Sequence, residues 1–413
     1  MLTGTLMIRF ISFAFFPLLM LAESLHAETP ALNRIREILT SGEKQVRMVA
    51  FGDSVTGLYY HTGGRQAYGE LLVEAIQQIR PESDLTLINA GRSGHSTANA
   101  LGRIGQDVLA HKPHLVTVMF GLNDVAKLPI EAYRKNLVEI VRQCRARGAE
   151  VILCTPNAVL TTPERPLEKV FAYSEVTRAV AREMTVPLCD TYREMDALKA
   201  RDPETWRLSM SDEIHPNFGG HRRLAESLAQ TITGQKTTLE DKGPAAPHLG
   251  FTMARLKAGD AVKILAMPPF DTFVGEALRE RFPGANVGGI PWPTEGLSRY
   301  LLMKDAAHRV RPLTPTLVFV AIPRSATADG REQFIRTQMW IASNSLSRGK
   351  REWDVVVVHP SVFEGEPTEE ETDNDALIRR IVVNQDLPLL DRAPGDPRGA
   401  EEILREWLSS AAP

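Results

Sequence analysis

The apolar residues of this chain fall into short unbroken runs, separated by stretches in which they recur every third or fourth position. The first run, 46–51, ends abruptly at Gly52-Asp53-Ser54. Consecutive apolar positions over so short a length predict a strand buried on both faces of a parallel sheet. Four more runs follow at 85–89, 115–120, 151–155 and 186–190. Helical spacing fills the intervals: 32–39; Tyr68, Leu71, Leu72, Ala75, Ile76 and Ile79; Tyr133, Leu137, Ile140, Val141 and Cys144; and 176–184. A closing helix over 219–232 carries Leu224, Leu228 and Ile232 on one face. Strands alternating with helices predict βαβ crossovers and a parallel sheet covered on both sides.

Residues 233–247 are rich in Gly, Pro, Lys, Thr and Glu and have no periodicity, so a linker is expected within 233–250. The pattern then begins again. Val262-Lys-Ile-Leu-Ala-Met267 echoes 46–51, 316–320 echoes 114–118, 355–360 echoes 151–156, and 387–391 echoes 186–190. Four echoes in one order and at nearly one spacing predict a duplicated α/β domain, with the copies at 28–232 and 251–413.

Composition narrows the class. The 413 residues are 43% hydrophobic and 24% charged, with a formal net charge of -3, which gives no electrostatic reason to expect a nucleic acid. Residues 1–27 contain Arg9, an apolar stretch over 10–22 interrupted by Pro17, and a short polar end at Ala27. This is the form of a cleaved secretory signal, so a secreted or periplasmic protein is expected. The stretch is shorter than the ~20 residues of a membrane span, and no span is expected after cleavage. Three cysteines cannot all pair internally. Cys144 falls on a helix face, and Cys154 and Cys189 lie inside strands, so buried thiols are expected. Cys154 with Cys189 is the pair to test for a disulfide.

A serine at the carboxyl end of a parallel strand stands where open α/β sheets keep their chemistry. It needs a base, an orienting carboxylate and an oxyanion hole. Ser211-Asp-Glu-Ile-His-Pro-Asn217 places Asp212 three residues before His215, a spacing at which the carboxylate can fix the imidazole tautomer. Gly94, after the second strand, and Asn123, after the third, can donate to an oxyanion together with the Ser54 N–H. Taken singly, these residues also fit a turn glycine, a helix cap and a solvated histidine. There is no G-x-S-x-G around Ser54 and no H-E-x-x-H, and His111 and His114 read as surface residues.

The blocks G-D-S, S-G, G-x-N-D and D-x-x-H-P, in this order and after these strands, resemble the GDSL or SGNH family of serine esterases and lipases. The resemblance spans about 46–232 and implies a flavodoxin-like three-layer α/β/α sandwich. It implies Ser54 as nucleophile, His215 as general base, Asp212 as its partner, and the Ser54 N–H, Gly94 and Asn123 as oxyanion hole, with no metal and no cofactor. Asp53 and Asp124 then read as scaffold carboxylates. Val55 stands where the family often has Leu, which alters no catalytic group. The substrate implied is a small-molecule or carbohydrate ester, foremost an O-acetyl group on a carbohydrate. A lipase or lysophospholipase, or a glycan-binding or assembly protein on the same fold, are the alternatives. Tyr59, Tyr60 and His61 follow the nucleophile loop and read either as lining the leaving-group side or as surface or core residues.

The second copy has lost this chemistry. Phe270 falls where Ser54 stands and Ser325 where Asn123 stands, and no histidine follows Asp391. A phenylalanine is no nucleophile, so the copy is expected to be silent. Trp292, between two prolines, reads as a packing residue before a sugar-stacking one, and 364–375 as a solvated acidic loop before a calcium site.

Overall fold

In the computed structural model, described over residues 32–42, 44–58, 60–240, 248–347 and 352–411, the apolar runs become strands. The expected signal segment and Tyr59 lie outside the described residues. The first unit holds β1 (Val46–Gly52), β2 (Leu85–Gly91), β3 (Leu115–Met119), β4 (Glu150–Cys154) and β5 (Leu188–Cys189). All pairings are parallel, in the order β2-β1-β3-β4-β5. That is the doubly wound order in which the switch point lies between β1 and β3, where a crevice opens at the carboxyl ends. Helices α1 (Asn33–Ser41), α2 (Tyr68–Ile79), α3 (Thr97–Asp107), α4 (Leu122–Lys127), α5 (Ile130–Ala146), α6 (Leu167–Glu183), α7 (Thr191–Arg201), α8 (Pro203–Leu208) and α9 (Phe218–Thr233) flank the sheet. Every residue of β3 is buried, as consecutive apolar positions require of a strand covered on both faces.

The second unit repeats the plan. Its strands are β6 (Val262–Ala266), β7 (Val287–Pro291), β8 (Leu317–Val320), β9 (Asp354–Val358) and β10 (Leu389–Leu390), in the order β10-β9-β8-β6-β7. Read from the other edge, this is the order of the first sheet. Its helices are α10 (Gly250–Ala258), α11 (Phe270–Arg281), α12 (Arg299–Leu313), α13 (Arg331–Ser345), α14 (Glu369–Asn384) and α15 (Ala400–Ala411). The molecule is thus a duplicated α/β three-layer sandwich. One side-chain device is repeated as well. Arg178 of α6 donates from Nε and Nη2 to the two oxygens of Asp190 at 2.9 and 2.8 Å, and Arg379 of α14 does the same to Asp391 at 2.6 and 3.0 Å. Each fork ties a helix to the end of the fifth strand of its sheet.

The structure departs from the sequence reading in several places. Strand β7 was not expected, because Gly288, Gly289 and Pro291 break its apolar run, yet it pairs with β6 throughout its length. The acidic stretch 364–375 is not a solvated loop. Thr368 and Glu371 form a capping box that starts α14, and the acidic first turn suits a helix N-terminus. Asp375 is buried, with Arg324 Nη2 at 2.8 Å. Within the stretch read as a linker, Leu239 packs into the first core and its carbonyl accepts from Arg222. Trp292, by contrast, is fully buried as expected of a packing residue, and it donates to Asp305. Cys154 and Cys189 face each other in register on β4 and β5 but, like Cys144, are free thiols.

The two units meet through a polar seam with an apolar centre. Leu208 of α8 belongs to the second core, Arg207 pairs with Glu332 at 2.9 Å, and Glu204 accepts from Arg331 and Arg380. The repeated forks give a test of how burial sets the worth of an ion pair. Arg178 and Asp190 are 5% and 15% exposed, against 41% and 29% for Arg379 and Asp391. Arg178→Met is expected to cost about 3 kcal/mol in urea unfolding and Arg379→Met less than about 1 kcal/mol. Equal losses would contradict this.

Candidate active site

Strand β1 ends at Gly52, where the chain turns so tightly that a Cβ would lie 1.9 Å from Thr56 Oγ1 and 2.6 Å from the Met119 carbonyl. No other residue fits there. The Val55 N–H donates to Asp53 Oδ1 at 3.0 Å and the Gly57 N–H to the Asp53 carbonyl at 3.1 Å, leaving Ser54 half-buried at the tip of the turn. Arg103 of α3 closes the turn from behind, donating to the Gly52 carbonyl at 2.8 Å and the Ala90 carbonyl at 2.7 Å.

Opposite this tip lies the loop between α8 and α9. Asn217 caps α9 and also donates to the Leu208 carbonyl, and the Ser211 N–H donates to the His215 carbonyl at 2.8 Å. From the side, Asn157 Nδ2 donates to the Ile214 carbonyl and the Leu160 N–H to that of Glu213. A loop held on both flanks presents its side chains in one orientation. Asp212 Oδ1 accepts from the Ile214 and His215 N–H groups at 2.8 and 2.7 Å, while Oδ2 lies 2.8 Å from His215 Nδ1. That contact puts the imidazole proton on Nδ1 and leaves Nε2 as acceptor for Ser54 Oγ, 2.9 Å away. Burial works against the Asp212 carboxylate, but the His215 ring and its hydrogen bond outweigh burial and hold the group well below the usual carboxylate range.

The expected oxyanion donors lie in the segments that follow the second and third strands. Gly94 sits at φ +74°, a left-handed conformation that side chains other than glycine rarely adopt, just before the capping box Ser96/Asn99 that starts α3. Asn123 lies in the first turn of α4. Its Oδ1 faces Arg165 Nη2 at 3.4 Å, and its Nδ2 donates to the His95 carbonyl at 3.2 Å and Asp53 Oδ2 at 3.3 Å. Asp124, fully buried, accepts from the Thr97 N–H at 2.9 Å and so ties the Asn123 turn to the Gly94 loop. Both Asp53 and Asp124 are therefore scaffold carboxylates in their contacts.

Several neighbours were not singled out in the sequence. Arg103 and Arg165 sit in helical or loop contexts that carry no spacing signal. His61, read from the sequence either as a lining residue or as a surface or core residue, is buried and stacked on His215, with ring centroids 3.9 Å apart and planes at 22°. Burial and the nearby His215 push His61 well below the usual range, and burial pushes His221 down to about 3. His61, Asp212 and His215 bring donor atoms within 4.8 Å of one another. Nearly parallel rings do not aim their in-plane lone pairs at one point, so this is a poor cradle for a metal ion. His114 accepts from the Arg47 N–H at 2.9 Å, a structural role at a strand entrance.

Burial pushes Asp53 up to about 6, against the opposing pull of the Val55 N–H and His215. The native chain therefore keeps a proton that the unfolded chain releases between about pH 4 and pH 6, and stability falls as pH rises through that window. Asp53→Asn is expected to flatten the slope, read by urea unfolding across the window. An unchanged slope in the variant would contradict it.

Residues 50–223 match the GDSL-like lipase/acylhydrolase family. An acetylxylan esterase of Geobacillus stearothermophilus is 27% identical over 215 residues, covering 46% of this chain and 94% of that protein. An uncharacterized lipoprotein, YqeF, of Bacillus subtilis is 30% identical over 188 residues, covering 38% of this chain and 75% of that protein. A lipase/acylhydrolase of Enterococcus faecalis of known structure is 26% identical, covers 47% of this chain and 98% of its own, and superposes with a TM-score of 0.40. With its strand-end serine, its strand order and its matched blocks, the chain belongs to the GDSL-like lipase/acylhydrolase family and is a serine carboxylic ester hydrolase.

Proposed function

We propose that the first unit hydrolyses short-chain esters, foremost O-acetyl groups on a carbohydrate, with Ser54 as nucleophile, His215 as general base and Asp212 as its partner. The observation that carries this reading is the unbroken path from Asp212 Oδ2 through His215 to Ser54 Oγ, with contacts of 2.8 and 2.9 Å. His215 Nε2 takes the Ser54 proton as Oγ bonds to the ester carbonyl carbon, and negative charge moves to the carbonyl oxygen. The Ser54 N–H, the Gly94 N–H and Asn123 Nδ2 receive that charge. The present bonds of Asn123 Nδ2 are long, and an oxyanion is a stronger acceptor that competes with them. Collapse of the intermediate breaks the bond to the alcohol oxygen, which takes the proton from His215. Water, deprotonated by His215, then attacks the acyl carbon, the bond to Ser54 Oγ breaks, and Oγ takes the proton back from His215 as the acid leaves.

The acetyl-carbohydrate preference draws support from the likeness to an acetylxylan esterase over 94% of that protein's length. Export to the periplasm or outside the cell draws support from the charge and apolar pattern of residues 1–27. The second unit contributes no nucleophile or general base in this proposal. By the pairs Met48↔Leu115 and Ile264↔Leu317, Phe270 stands at the place of Ser54 and Ser325 at that of Asn123. Phe270 is fully buried among Phe273, Phe319 and Phe363.

Acetate release from aryl acetates and acetylated xylo-oligosaccharides tests the reading. The wild type is expected to release acetate and Ser54→Ala to release none. Asn123→Ala is expected to lower kcat by about two to three decades, the usual worth of one oxyanion donor. Turnover by Ser54→Ala equal to wild type would overturn the assignment.

A further inference from the structure

The two hydrogen bonds of His215 run from its two ring nitrogens in the plane of the ring, so neither supports a ring face. A face contact is what supplies that support. His61, in the short turn Tyr60–Thr62, makes it by stacking on His215. The stacked ring is itself held from the other unit. His61 Nδ1 lies 3.0 Å from Ser211 Oγ, and Ser211 Oγ lies 3.0 Å from Ser343 Oγ on α13. All three side chains are buried, with Ser211 and Ser343 each 1% exposed, and in such surroundings a hydrogen-bonded chain keeps its geometry.

The same seam grips both segments that meet at the ring pair. Arg65, just beyond the His61 turn, pairs with Asp386 at 2.9 Å, and the two side chains are 12% and 2% exposed. Arg336 of α13 pairs with Glu213, which sits between Asp212 and His215 in the loop, at 3.1 Å. A Cβ on Gly63 would lie 3.5 Å from Leu346 Cδ2, so the turn rests against the end of α13.

We propose that His61 is a positioning residue for His215, and that the second unit, although silent in acyl transfer, sets the angle of the general base through the path Ser343–Ser211–His61. The proposal rests on the reading of Ser54 and His215 given above. It gives the duplicated unit a function in the reaction. A nucleophile and base must be held to a few tenths of an ångström, and small misplacements cost up to about a hundredfold in rate. The first unit builds one face of that fixture and the second unit fixes the other.

The test is steady-state hydrolysis of p-nitrophenyl acetate by full-length variants, each checked for folding by its thermal midpoint. Ser343→Ala removes one hydrogen bond in the path and is expected to lower kcat about two- to tenfold, with KM near that of wild type. His61→Phe keeps a ring face but cuts the path, so Ser343→Ala added to it is expected to lower kcat no further. His61→Ala removes the face as well and is expected to lie below His61→Phe in kcat. Wild-type kcat in Ser343→Ala, or the same fold loss in both backgrounds, would overturn the proposal. Should His61→Ala fail to fold, the Ser343→Ala comparison in the two backgrounds decides alone. Equal turnover by wild type and Ser54→Ala would instead overturn the underlying assignment, and the proposal with it.

Discussion

Everything at the candidate site depends on one imidazole ring being held between two partners that come from distant parts of the chain. Ser54 is delivered by the end of β1, Asp212 and His215 by the loop before α9, and the contacts of 2.9 and 2.8 Å exist only if both elements are fixed. The sheet fixes the first, because Gly52 lets the turn lie against Thr56 and the Met119 carbonyl. Asn217, Asn157 and the Leu160 N–H fix the second by satisfying loop carbonyls that would otherwise be free to move. A buried carboxylate beside a histidine is costly unless its lone pairs are used, and those of Asp212 are, by two backbone N–H groups and the ring.

The duplication separates what the fold requires from what the chemistry requires. Both units keep the strand order and the arginine fork onto the end of the fifth strand. Both also keep a left-handed glycine after the second strand, Gly94 and Gly296. Those features hold a doubly wound sheet together whatever it does. At the place of Ser54 the second unit buries Phe270 in an aromatic cluster, which fills with packing the position where the first unit leaves a half-buried hydroxyl. The seam between the units is rich in charge pairs, and two fall on the segments that carry His61 and His215.

Much of the fold was legible in the sequence, because runs of consecutive apolar residues and helical spacing are direct records of burial on two faces or on one. The 46–51 run became β1, and the spacing from Tyr68 to Ile79 became α2. Strand β7 was hidden because an edge strand with Gly288, Gly289 and Pro291 is held by its neighbour's hydrogen bonds rather than by apolar side chains. Helix α14 was hidden by its acidic first turn, which reads as a solvated loop until the capping box is noticed. Ser54, Asp212 and His215 were legible as a constellation because a triad needs particular residue types at strand ends and in one loop. Arg103, Arg165 and the stacking of His61 were not, since each acts through a contact made only when distant segments fold together.

The central claim is that Ser54 is an activated nucleophile, and covalent trapping addresses it without regard to the natural substrate. The full-length protein would be incubated with an organophosphonate carrying an aryl leaving group, then digested and its labelled peptide mapped by mass spectrometry. One phosphonyl group per chain is expected, on the peptide that contains Ser54, with a labelling rate that collapses in His215→Ala. No label, or a label on another residue while Ser54 stays unmodified, would contradict it.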